Sequence, residues 1–153
     1  MRSLALFALC AAILTAADPA GFVMWKGPEL RGFEQKLALK VDQKKMASET
    51  LANYGNHSVM VLHREASGEA EFHETQADLF IVQSGEATLI AGGTVVEPRT
   101  TAPHEIRGPS IRDGVSKRIG PGDVVHIAAK TPHQLVVADG QQVTYAVVKI
   151  NAE

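Results

Sequence analysis

The chain holds a single cysteine, Cys10, so it cannot close an intramolecular disulfide. Aromatic residues make up only 5% of it. No stretch reaches the roughly 18–20 apolar residues that a membrane-spanning helix needs. Nor is there a basic excess. Lys and Arg number 15 against 17 Asp and Glu, a formal net charge of −2, and no basic stripe is interleaved with aromatics. Nucleic acid is therefore not an expected partner. There is also no βαβ alternation, no long repeat and no low-complexity tract. What is present is 153 residues, 45% hydrophobic and 21% charged. That suits one globular domain whose core needs no covalent staple.

The densest apolar run lies at the N-terminus. Arg2 precedes the apolar stretch from Leu4 to Leu14, then Thr15-Ala16-Ala17 supplies small residues before Asp18-Pro19. This is the pattern of an export signal, with cleavage expected after Ala17. Two other readings of the segment are a short membrane anchor and a lipoprotein signal on Cys10. Leu9 stands where the latter wants a small residue. Cleavage removes Cys10 and Arg2, leaving a mature chain without thiols and with no stable membrane span. A periplasmic or secreted location is expected, where disulfides are permitted but not required. The expected divisions are a signal at 1–17, an N-terminal extension and helix at 18–45, and the main domain at 46–153.

Pro28-Glu29 suits a helix start, since proline is tolerated in the first turn and an acid there complements the dipole. Leu30, Phe33, Leu37 and Val41 recur at three- and four-residue steps and predict one apolar stripe, packed on the outside of a sheet. From Met46 the period changes to two. His57, Val59, Val61 and His63 alternate with Ser58, Met60, Leu62 and Arg64. Further strands are predicted at Ala70 to His73, Asp78 to Val82, Ala87 to Ala91, Val124 to Ala128, Gln134 to Val137 and Val143 to Ile150. Gly92-Gly93 is expected to make a hairpin into Thr94–Val96, and Asp139-Gly140 another between the last two strands. Residues 98–114, rich in Pro, Gly and Thr, read as a long loop with at most one short strand. Many short strands with regular turns and one helix predict an all-β sandwich or barrel.

Chemistry concentrates in two segments. Glu71 and His73 are two apart in a strand and share a face. Asp78 follows five residues later and Gly85 seven after that. Beyond Pro121-Gly122-Asp123, a short strand and a turn end on Thr131-Pro132-His133. These spacings resemble the two motifs of the cupin superfamily over roughly residues 46–150. From His73 onward the first motif fits: histidine, four residues, an acid, six residues, glycine. In the second, five residues follow Gly122 and His133 falls on the histidine. Departures are clear. Glu65 replaces the opening glycine, Glu71 the first histidine, and Asp78 the usual glutamate. Ala128, Lys130 and Val137 replace the proline, glycine and asparagine of the second motif.

The resemblance implies a double-stranded β-helix, a jelly-roll barrel, with the N-terminal α-helix packed outside and homodimers formed by exchange of N-terminal strands. It implies a metal site in the barrel, although the usual three histidines and a glutamate do not carry over whole. His73 and His133 match by type, Asp78 by chemistry and Glu71 by position alone. Two histidines with one or two carboxylates suit a divalent transition metal such as Fe, Mn, Zn, Ni or Cu. Glu71 is then either a fourth ligand or a catalytic general base beside the metal. A hydrogen-bonded cluster without metal is the alternative. Inward Phe80, Val82, Leu135 and Val137 are expected to frame an apolar pocket for a small molecule bearing an acid or carbonyl group. Whether the chain is an enzyme stays open: the resemblance implies oxygenases, isomerases and lyases, and equally non-catalytic binders of a sugar or small acid. A purely structural role is the third reading. His57, His63, His104 and His126 are expected to be packed or surface groups, with His104 a possible lid over the pocket. Tyr145 and Lys149, on one face of the last strand, are expected to serve edge solubility before any pocket role.

Overall fold

The computed structural model describes residues 17–151. The helix is α1 (Gly27–Ala38), with proline in its first turn, Glu29 near its N-terminus and Lys36 in its last turn. Its stripe buries Phe33 and Leu37 against Ala47, Val61 and Ala146, with Leu30 and Val41 at the margin. The stripe thus packs on the outer face of a sheet, as its spacing predicts. Val41 joins the contact from beyond the helix end. Among the described residues no helix is long and apolar enough to cross a membrane.

The remaining regular elements among the described residues are strands. The strands are β1 (Met46–Asn53), β2 (His57–Arg64), β3 (Ala70–His73), β4 (Gln76–Gly85), β5 (Ala87–Ala91), β6 (Thr94–Val95) and β7 (Arg99–Ala102). There follow β8 (Glu105–Gly108), β9 (Ile111–Arg112), β10 (Val115–Ile119), β11 (Val124–Ile127), β12 (His133–Val136) and β13 (Val143–Asn151). One sheet runs β1-β2-β13-β4-β11 and the other β10-β5-β12-β3-β8-β7, with β6-β9 as a separate ribbon. Every pairing is antiparallel.

The two sheets share one core. Phe80 and Val82 of β4 and Tyr145 and Val147 of β13 meet Leu89 of β5, Leu135 of β12 and the adjacent Val137. Because strand side chains alternate, the residues two further along each strand continue the same face. On β4 that residue is Asp78, on β12 it is His133, and on β13 it is Lys149. The apolar core therefore passes into a polar layer at one end with no break in the alternation.

Three local expectations are corrected. Gly92 and Gly93 have the positive φ of a tight turn (78° and 70°), but β6 pairs with β9 and not with β5. The turn is diverted because Gly92 N donates to Pro132 O and the Gly93 backbone lies against that of Arg112. Asp139-Gly140 likewise carries the chain between sheets, since β12 and β13 belong to different ones. The segment expected to be a loop holds β7, β8 and β9. Its turn residues sit between strands, with His104 at φ 63° and Asp113 at φ 62°.

Gly85 closes β4 at φ 70°, and a Cβ there would lie 2.0 Å from the carbonyl oxygen of Gln142. Gly140 has a similar φ of 75° but open space around it. Gly85→Ala is therefore expected to cost about 3 kcal/mol, from backbone strain plus the clash, and Gly140→Ala about 1 kcal/mol, from strain alone. Urea unfolding of the two variants checks this. Equal losses would show that the approach of Gln142 is no constraint.

Candidate metal centre

Register assembles the site. Glu71 on β3 lies opposite His133 on β12. Asp78 on β4 lies opposite Lys149 on β13. On the far side of β3, Glu71 and His73 lie opposite Arg107 and Glu105 of β8. The result is that Glu71, His73, Asp78 and His133 each present one donor atom, all within 4.8 Å of one another. These are the four residues singled out in the sequence. His73, Asp78 and His133 are buried and Glu71 is partly so.

Four of the donor spacings lie between 3.3 and 4.0 Å. Nε2 of His73 is 3.3 Å from Asp78 Oδ2 and 3.4 Å from Glu71 Oε2. Nε2 of His133 is 3.5 Å from Asp78 Oδ2 and 4.0 Å from Glu71 Oε2. Ligands about 2.1 Å from one ion in tetrahedral array stand roughly 3.4 Å apart, so the donor set fits a single small cation. The outer nitrogens support that fit. Nδ1 of His133 faces the carbonyl of Thr131 at 3.1 Å, and Nδ1 of His73 is bound to the carboxylate of Glu105. An acceptor on Nδ1 sets the tautomer that leaves Nε2 free to ligate. Nε2 of His133 is buried with no hydrogen-bond partner.

Charges surround the cluster. Arg107 holds Glu71 Oε1 at 2.7 Å and also pairs with Glu105. The ammonium of Lys149 reaches both oxygens of Asp78, at 2.9 and 3.0 Å. Arg64, buried, donates from Nε to the hydroxyl of Tyr145 at 3.2 Å. Burial pushes the Glu71 carboxyl up, but the adjacent His73 imidazole and the charge of Arg107 outweigh it and bring it down to about 2. Burial likewise opposes ionisation of Asp78, yet the adjacent imidazoles of His133 and His73 and the Lys149 charge hold it well below the usual carboxylate range. His73 is lowered by burial and raised more strongly by Asp78, Glu105 and Glu71, to about 10.

Glu105 and Arg107 were absent from the sequence reading, and Tyr145 and Lys149 were misassigned. β13 is not an edge: it lies between β2 and β4. The signal for the first pair was the i, i+2 spacing of an acid and a base just after Pro103-His104. The remaining histidines stay out of the site. His63 is buried under the helix side with Nδ1 2.8 Å from Thr144 Oγ1, and His57 stacks on Tyr54. His126 is exposed, and His104 pairs with Glu74 at the surface. A cavity of about 30 Å³ adjoins the cluster, framed by Leu62, Arg64, Phe80, Leu135, Tyr145 and Lys149. A surface cleft of about 390 Å³ shares Arg64 and Gly68 with it and also carries Lys44 and Arg107.

No protein-family model and no curated protein matches the chain. Solved structures do. A Klebsiella pneumoniae protein with a double-stranded β-helix domain aligns with TM-score 0.54 and 14% identity, over 73% of this chain and 82% of that one. TT1209 from Thermus thermophilus aligns with TM-score 0.54 and 14% identity, over 78% of this chain and 94% of that one. DMSP lyase DddQ from Ruegeria pomeroyi aligns with TM-score 0.50 and 17% identity, over 70% of this chain and 47% of the lyase. The chain thus spans about half of the lyase's length. At these identities the likeness shows the fold alone. It is all-β and cupin-like, with one N-terminal helix.

The perturbed groups set a pH window for the metal-free protein. Glu71, lowered from 4.5, adds stability that is present above 4.5 and lost as pH falls toward 2. His73, raised from 6.5, adds stability that is full below 6.5 and lost as pH rises through about 10. In chelator, the melting temperature is expected to be highest between these limits and to fall by about 5 °C or more toward pH 9.5. Glu105→Gln should flatten the alkaline fall. A wild-type melt that does not change from pH 6 to 9.5 would rule out the raised His73.

Proposed function

We propose that the chain is an exported, metal-dependent enzyme of the cupin type, its sheets closing as a double-stranded β-helix. Its substrate is a small organic molecule with a carbonyl or carboxylate group. The observation that carries this is the convergence of four donors from Glu71, His73, Asp78 and His133 within 4.8 Å. His73, Asp78 and His133 hold the ion. Glu71 is the fourth ligand: Arg107 pins Oε1 at 2.7 Å and so turns Oε2 toward both histidines. A carboxylate held that way, with its affinity for protons so reduced, makes a poor general base. When bound, a divalent ion supplies Lewis acidity to an oxygen of the substrate or to water.

Residues around the cluster select the substrate. The 30 Å³ cavity admits a water or the reacting end of a small molecule, not a large ligand. The adjoining cleft has Lys44, Arg64 and Arg107 against Glu69 alone, which favours an acid group there. Tyr145 and Arg64 orient whatever enters between cleft and cluster. A second reading, a non-catalytic binder of a small acid, draws on one observation. Glu71, Asp78 and Glu105 are each already held by a cation or imidazole, so none is a free base.

Metal-stripped protein offered Fe, Mn, Zn or Ni is expected to take up about one ion per chain, with proton release because histidine ligands bind neutral. His73→Ala/His133→Ala should abolish uptake. Glu105→Gln, which removes the carboxylate orienting His73, should weaken it about 10- to 100-fold. Elemental analysis and calorimetry read both effects. Uptake undiminished in the double variant would remove the site. Turnover of a small keto or carboxylic acid by the loaded protein separates the enzyme from the binder.

A further inference from the structure

Lys149 stands at the edge of the donor cluster, against two of its four ligands. Its Nζ is 2.9 and 3.0 Å from the two oxygens of Asp78 and 3.2 Å from Nε2 of His73. These are atoms of two of the four converging ligands. The placement is built into the sheet. Lys149 is directly opposite Asp78 across the β13–β4 pairing, and Val147 is opposite Phe80 one step deeper on the same core-facing side. The side chain is only 23% exposed, and Asp78 is 2% exposed. An ammonium in that position, chelated by both oxygens, answers most of the charge of a buried carboxylate. It also repels any second cation brought to the same oxygens, strongly so where water is excluded.

We propose that Lys149 is the resident cation of this site, and that a divalent metal enters only by displacing its ammonium from Asp78 and His73. The inference rests on the metal reading given above. Its consequence is that affinity is set by an exchange of cations and not by the donor set alone. Metal loading is thereby made conditional, and an ion that binds the four donors weakly is kept out.

The test compares metal affinity in the full chain, using Mn(II) and Zn(II) in calorimetric titrations of wild type and Lys149→Met, with His73→Ala/His133→Ala as control. Lys149→Met is expected to bind about one ion per chain at least ten-fold tighter than wild type, with the histidine control silent. Because Lys149→Met leaves Asp78 without its ammonium, its fold is checked by circular dichroism, and a second measurement uses wild type alone. Acylation of Lys149 by an amine reagent, read by peptide mass spectrometry, is expected to speed up several-fold on metal addition relative to exposed Lys117. If the variant does not fold, the labelling decides. Equal or weaker binding by a folded Lys149→Met, or labelling of Lys149 unchanged in protein that has taken up metal, overturns the proposal and leaves the metal site standing. Binding by Lys149→Met but not by wild type supports the proposal and removes the metal-dependent function. Binding by neither overturns both.

Discussion

The structure depends on one constraint: the carboxylate of Asp78 lies on the core-facing side of a central strand, 2% exposed. Alternation puts it there, two residues from Phe80, and the hydrophobic face cannot be moved without flipping the whole strand. A charge so placed must be answered locally, because an unpaired buried carboxylate costs several kcal/mol. The fold answers it from three directions. β13 brings Lys149 across the register, β3 brings His73, and the turn before β12 ends on His133. Each of those groups then needs its own partner, and the requirement spreads outward to Glu105, Arg107 and Thr131. The polar layer is therefore one connected network and not four residues that happen to meet.

That network explains which parts were legible in the sequence. Period-two alternation and the spacing from His73 to Asp78 are local, so the strands and the first half of the site could be read directly. His133 followed from its turn signature. The helix was visible because Leu30, Phe33 and Leu37 repeat within one segment. What could not be read was pairing. Gly92-Gly93 has hairpin chemistry, yet its partner is chosen by contacts with Pro132 and Arg112, far along the chain. Glu105 and Arg107 sit among prolines, glycines and threonines, and nothing local says that β8 lies beside β3. Lys149 shows the same limit in sharper form. Its face was evident, but an exposed edge and a central strand between two neighbours look alike in one dimension.

Charge balance ties the site to its proposed chemistry. Glu71, Asp78 and Glu105 bring three negative charges, against Arg64, Arg107, Lys149 and a His73 whose affinity for protons is raised. The metal-free cluster is thus close to neutral, a condition a partly buried site requires if it is not to repel itself. A divalent ion arriving at four donors brings two positive charges. Ligation needs His73 neutral, which releases one, and it needs the Lys149 ammonium out of the way, which removes another. The exchange leaves the net charge near the carboxylates almost unchanged. A monovalent ion would leave a deficit and a trivalent ion an excess, both uncompensated at low dielectric. Glu71, at the position where the cupin motif that the chain resembles has a histidine, belongs to the same balance. A neutral ligand there would leave Arg107 facing Glu105 alone, Arg64 without its carboxylate, and the metal-free cluster more positive by one charge.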